Sequence, residues 1–180
     1  SALSVTDTAV MVINAQYGVE VGTINQFRYT EKLAKPVIFV VNQLDQEKAD
    51  YDNVVAQLKD RYGNKVIPIQ YPVACGPSFN QVVDVLKMKL YRWKPEGGVP
   101  DVLEIPEEEM EKAMELHQAL VEASAENDES LMDKFFDQGT LTEDEMRDGI
   151  RQGLLTRGMF PVFCVCAGRD MCVRRTLEFL

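Results

Sequence analysis

An α/β fold built on a parallel sheet is what this sequence predicts, and three short apolar runs carry the prediction. They are Thr8-Ala-Val-Met-Val-Ile-Asn14, Val37-Ile-Phe-Val-Val41 and Met159-Phe-Pro-Val-Phe-Cys-Val-Cys166. Each is rich in β-branched or aromatic residues and too short for a helix that stands alone. Each suits a strand buried on both faces beneath covering helices. Helical spacing follows each run after a turn, and strand–helix–strand–helix at this pace argues a right-handed parallel sheet.

Taken in order, the first strand ends at Asn14 and turns at Gly18. A helix is expected over about 22–33, with Ile24, Phe27 and Leu33 along one face, and Pro36 stops it. The second strand is followed by a helix over about 50–62, with Val54, Val55, Leu58 and Tyr62 at helical spacing and Gly63 as its stop. Residues 65–72 carry two prolines and read as one peripheral strand. Residues 79–93 hold short β-rich pieces of a separate small sheet, and 95–100 read as a turn-rich break. Residues 106–157 read as helical. Pro106 precedes three glutamates that favour a helix N-terminus, and Thr142-Glu-Asp-Glu145 is a capping box opening a helix through Ile150. A last helix is expected from about Met171 to Leu180.

A chain of 180 residues, 46% apolar and 27% charged, can bury one good core with room for a satellite subdomain. No apolar run approaches the roughly 20 residues of a membrane span, so no membrane partner is expected. The sequence starts Ser1-Ala-Leu without Met and is expected to be a segment of a longer chain. Cys75, Cys164, Cys166 and Cys172 lack zinc-site spacing and read as reduced thiols of a cytoplasmic protein, and no metal ligands are expected. His117, the only histidine, reads as solvated on a polar helix. The net charge of −10 is uneven. Residues 96–148 hold 18 acidic and 3 basic side chains, which points to a separate acidic subdomain or a solvated helical face.

Chemistry concentrates where the second strand ends, in Asn42-Gln43-Leu44-Asp45. Open α/β sheets bind ligands outside the carboxyl ends of their strands. A carboxylate held there accepts two hydrogen bonds from adjacent N–H donors, which guanine offers (N1–H and the exocyclic amine) and adenine does not. Asn42 would tie neighbouring loops together through its amide.

With these residues on the page, the chain resembles the translational GTPases, and most closely the elongation factor G family. Asp7-Thr-Ala-Val-Met-Val-Ile-Asn14 with Tyr17-Gly-Val-Glu20 looks like the family's strand and turn after switch II, and Val41 to Asp45 occupies its N-K-x-D motif. Ala49-Asp50-Tyr51, Gln70-Tyr71-Pro72-Val73, Val83-Asp84-Val85 and Met88-Lys89 follow in the family's order. Ala125-Glu126-Asn127-Asp128-Glu129-Ser130-Leu131-Met132 and Pro161 to Ala167 complete it. The resemblance implies a partial P-loop NTPase-type sheet over residues 1–65 and 158–180, with residues 66–157 inserted as an α+β G′ subdomain. It implies GTP/GDP binding, action on the ribosome in translocation, and a G′ face toward the ribosomal stalk protein. Asn42, Gln43 and Asp45 would hold guanine, and Ala167, after Cys166, would offer its backbone N–H to the guanine carbonyl.

The chain departs from the family in three ways. It holds no G-x-x-x-x-G-K-[ST], and neither switch I nor the D-x-x-G of switch II, so magnesium ligands are missing and this polypeptide alone is not expected to hydrolyse GTP; no catalytic residue is assigned. Gln43 stands where the motif has lysine, and Cys166 where the family has serine. These changes raise an alternative, a divergent ribosome-binding paralogue with weak or no GTPase activity. An unrelated α/β module with a chance Asn-x-x-Asp is the third reading. Without the P-loop strand, the strand over 8–14 is expected to present an apolar edge through which copies self-associate.

Overall fold

A computed structural model describes residues 2–179; Ser1, and Leu180 where the last helix was expected to end, lie outside them. The elements are β1 (Ala9–Asn14), α1 (Val21–Lys32), β2 (Val37–Asn42), α2 (Tyr51–Tyr62) and β3 (Val66–Pro68). Then come β4 (Gln70–Pro72), β5 (Gln81–Asp84), β6 (Lys89–Lys94) and β7 (Gly97–Leu103). Three helices follow, α3 (Glu107–Ala125), α4 (Glu129–Gln138) and α5 (Glu143–Leu155), before β8 (Phe160–Cys164) and α6 (Val173–Phe179).

β1, β2, β8 and β3 form a parallel sheet in the order β1-β2-β8-β3. β2 is central, and its apolar run from Val37 to Val41 is buried on both faces, as its composition predicts. On one face, Phe27 of α1 lies 6.1 Å from Phe39, 3.9 Å from Tyr62 and 5.5 Å from Phe160, centroid to centroid, so one aromatic cluster joins α1, α2, β2 and β8. The expectation that β1 is buried on both faces is corrected. Ala9, Met11 and Ile13 are buried, whereas Val10 and Val12 are 42% and 62% exposed, because β1 is an edge strand with one covered face.

The peripheral strand expected over 65–72 is two strands in two sheets. Val66–Pro68 pairs with β8 in the parallel sheet, while Gln70–Pro72 pairs with β5 in an antiparallel sheet of order β4-β5-β6-β7. Ile69 is the joint. Its N–H donates to Val162 O in the first sheet at 2.9 Å, and its C=O accepts from Val85 N beside the second, also at 2.9 Å. Residue 66, where an insertion was expected to start, lies inside the parallel sheet, and the change of sheet falls at Ile69.

The break expected over 95–100 is also corrected. Glu96 turns the chain, and β7 starts at Gly97 and pairs with β6. β7 is an edge strand, which tolerates Pro100 because a missing N–H there costs no ladder bond. The helical region is as the sequence predicts in kind, though α5 continues past Ile150 to Leu155. Its capping box forms, with Thr142 Oγ1 accepting from Glu145 N at 3.3 Å and Glu145 Oε2 accepting from Thr142 N at 2.9 Å. His117 is not simply solvated. Its half-buried ring donates Nδ1–H to the Val85 carbonyl at 2.7 Å and docks α3 on the loop after β5.

α3 and α5 cross closely at Gly149, where a Cβ would stand 2.4 Å from Ser124 O. Alanine is the better helix former by about 1 kcal/mol, yet this contact is with backbone, which cannot swing aside. Gly149→Ala is expected to destabilise the fold by about 1–3 kcal/mol through overpacking, measured by urea unfolding. A variant as stable as the parent would show that the helices separate freely.

Candidate functional site

The parallel register brings three strand ends to one side of the sheet. Asn14 is the register partner of Asn42, and Cys164 that of Val41. Beyond them lie the turn 15–19, the loop 43–50 and the turn 165–171. The first two are sewn together by Ala15 N donating to Asn42 O and Asp50 N to Ala15 O, both at 2.9 Å. Val165 N donates to Val41 O at 2.8 Å and keeps the third in line.

Asn42 bridges the loops as its residue type predicts, its Oδ1 accepting from Ala167 N at 3.0 Å. The Ala167 N–H expected to meet a guanine carbonyl is bonded here to Asn42, so a base would share this donor. Gln43 is exposed and takes a left-handed backbone, φ 65°. Its side chain is bound to Asn14, Asn14 Nδ2 donating to Gln43 Oε1. Leu44 is fully buried and anchors the loop, its carbonyl accepting from Gly76 N at 2.8 Å. Asp45 follows, half-buried, with Oδ1 accepting from Gln46 Nε2 at 3.3 Å and no ion-pair partner among the described residues.

The Cys166 side chain is buried against this carboxylate. Burial, then the hydrogen bond to Asp45 and that carboxylate's charge, push the thiol up to about 11, against a small opposing pull from Arg169. Cys166 is therefore an uncharged thiol beside Asp45, standing where a serine would offer the stronger hydrogen-bonding group. The loop thus presents a half-buried carboxylate with capacity to accept two parallel N–H bonds, flanked by a backbone amide. Two acceptors beside one donor are complementary to the Watson–Crick edge of guanine.

Three contributors were missed by the sequence reading. Asn14 carries a weak signal, a polar residue closing an apolar run before a glycine turn. Gly97 and Arg169 carry none. A Cβ at Gly97 would stand 2.1 Å from Arg169 O, so the β6–β7 turn rests directly on the turn after Ala167. Arg169 clasps it in return, donating to Phe79 O at 3.3 Å and Pro95 O at 3.5 Å. The cavity of 460 Å3 between β1 and α1 lies away from these loops, whereas that of 410 Å3 over Tyr91 and Trp93 touches the third turn only at Asp170.

Fold and loop together define a G-domain-like α/β module of the translational GTPase kind. The family model for the elongation factor Tu GTP binding domain matches residues 1–180, and the chain belongs to that family. It is also similar to a crystal structure of a protein from Thermus thermophilus, with a TM-score of 0.88 and 28% identity over 98% of this chain. The chain spans 26% of the length of that protein. Guanine-nucleotide binding is a property of the family.

Cys166 gives a direct check on the site. Its folded-state value lies above the ordinary 9.0, so the thiol form stabilises the fold below pH 9, and this contribution is lost as pH rises toward 11. Alkylation at pH 8 followed by mass spectrometry is expected to label the half-exposed Cys75 first and to leave Cys166 unmodified. Rapid labelling of Cys166 at pH 8 would show that the thiol does not face Asp45.

Proposed function

We propose that the loops at Asn42–Asp45 and Cys166–Ala167 bind the guanine base of GTP or GDP. The observation that carries this reading is the half-buried Asp45 carboxylate, without an ion-pair partner among the described residues, beside the Ala167 amide at the ends of parallel strands. Asp45 accepts the N1–H and exocyclic amine of guanine. Asn42 fixes the distance between the two loops, Cys166 orients the carboxylate, and Ala167 N–H meets the guanine carbonyl when shared away from Asn42. Gln43 replaces a lysine stem over the base and removes its charge. The phosphates and a magnesium ion require residues that no motif in this sequence supplies.

The wider reading is a part of an elongation-factor-G-like GTPase acting on the ribosome in translocation, in the cytoplasm. Among the described residues no helix is long and apolar enough to cross a membrane, which is compatible with that setting. Residues 66–157, with the change of sheet at Ile69, are its G′ subdomain, and the acidic helices α3, α4 and α5 would face the stalk protein. The second reading, a ribosome-binding factor with weak or no GTPase activity, is favoured by one observation: the side chain at 43 is engaged with Asn14 rather than projecting over the base.

Calorimetry with GDP tests the base site. Asp45→Asn is expected to weaken GDP at least tenfold, the scale of a lost charged hydrogen-bond pair at about 1.5–3 kcal/mol. It is expected to improve xanthosine diphosphate, whose carbonyl replaces the amine. Equal GDP affinity in parent and variant would remove Asp45 from the site. Self-association through the free edge of β1 is part of the proposal, and analytical ultracentrifugation is expected to find a dimer that Val12→Lys abolishes. A strict monomer at high concentration would end that claim.

A further inference from the structure

Asn14 and Gln43 come from the ends of neighbouring strands, and their hydrogen bond has a polarity that the backbone dictates. Asn14 Oδ1 already accepts two N–H groups of its own turn, Gln16 N at 2.8 Å and Tyr17 N at 3.3 Å. This is the local side-chain-to-backbone pattern that asparagine favours in turns. Gly18 N closes the same turn on Asn14 O at 2.9 Å. Turning the Asn14 amide over would set its NH2 against two N–H donors. Asn14 can therefore offer residue 43 only a donor, and residue 43 must answer with an acceptor. Glutamine can do so; lysine has three donors and no acceptor.

The residue so held is one of six described non-glycine residues with a left-handed φ. Gln43 has φ 65°, a region that side chains other than those of glycine and asparagine seldom enter. Its carbonyl accepts from Gln46 N at 3.2 Å, which bends the chain around Asp45. A side chain pinned at 43 and a buried Leu44 leave Asp45 one direction to point.

We propose that Asn14 is a positioning residue for the Asp45 carboxylate, acting through Gln43. Asn14 and Gln43 form a neutral pair in which lysine at 43 is tolerated only with a carboxylate at 14. An aspartate at 14 keeps one oxygen for the turn and presents the other to the cation. With Gln43 unchanged, aspartate at 14 is also accommodated, since the glutamine amide can turn over and donate. The role given to Asp45 rests on the guanine reading, whereas the pair itself does not.

The test is a double-mutant cycle on the full chain, read by thermal unfolding and by amide NMR. Gln43→Lys is expected to lower Tm by about 2–4 °C, the shift of roughly 1 kcal/mol in a chain of this size. Asn14→Asp alone is expected to be nearly silent, and the double variant to return close to the parent. Gln43→Glu keeps an acceptor and is expected to hold the pair; Gln43→Met keeps the length and is expected to lose it. A positioning role further requires the amide signals of Leu44 to Gln46 and of Ala167 to move in Gln43→Lys and return in the double variant. Additive effects in the cycle, a silent Gln43→Lys, or amide signals that never move would each overturn the proposal. GDP affinity is measured alongside. A chain that binds no GDP yet shows the coupling and the returning signals sinks the guanine reading and leaves the pair standing.

Discussion

Parallel register is the constraint on which the rest of the molecule depends. β2 is buried on both faces and bonded on both edges, so its position admits no adjustment, and β1 and β8 are aligned to it residue by residue. Because all three strands run the same way, their ends fall together, and polar residues there are held by main chain rather than by long, mobile side chains. Asn14, Asn42 and Ala167 meet for this reason although they lie far apart in sequence. The aromatic cluster of Phe27, Phe39, Tyr62 and Phe160 fixes the sheet from beneath, and a close-packed interior of this kind transmits displacement instead of absorbing it.

The two sheets are not loosely strung. Ile69 bonds to both of them, and Tyr51 of α2 reaches across to donate to Gln70 O at 2.6 Å. On the far side, Arg175 of α6 forms a 2.9 Å ion pair with the buried Asp84 of β5 and lies 4.6 Å from the Tyr91 ring centroid. Removing Arg175 would leave Asp84 buried without its counter-ion, the costly way to break such a pair, whereas Arg175 would keep Glu178 at 3.2 Å. Helices from the parallel unit thus hold the antiparallel sheet at two separated points.

How much of this the sequence shows depends on whether the cause is local. β2 was legible because burial on both faces leaves an unbroken apolar run. β1 is expected at an edge and lies at one, but its burial on both faces was misread because its outward residues, Val10 and Val12, are apolar although exposed. The division between β3 and β4 leaves no glycine or polar break at Ile69, and β7 hides behind Gly97, Gly98 and Pro100, residues that ordinarily end strands. The contact of His117 depends on a carbonyl contributed by a distant loop. At the candidate site, Asn42, Gln43, Asp45, Cys166 and Ala167 could be named from motif order. The part of Asn14 could not, since it follows from which atoms its own turn has already claimed.

Gly97 gives this arrangement a consequence for how the protein can change. The carbonyl of Arg169 fills the space where any other residue at 97 would carry its first side-chain carbon. The contour of the loop bearing Cys166 and Ala167 is therefore set partly from the hairpin of the other sheet. Lineages drifting in that hairpin would reshape the proposed base loop while the loop's own residues stayed the same, and two homologues with identical loops could differ there for reasons invisible at the loop itself.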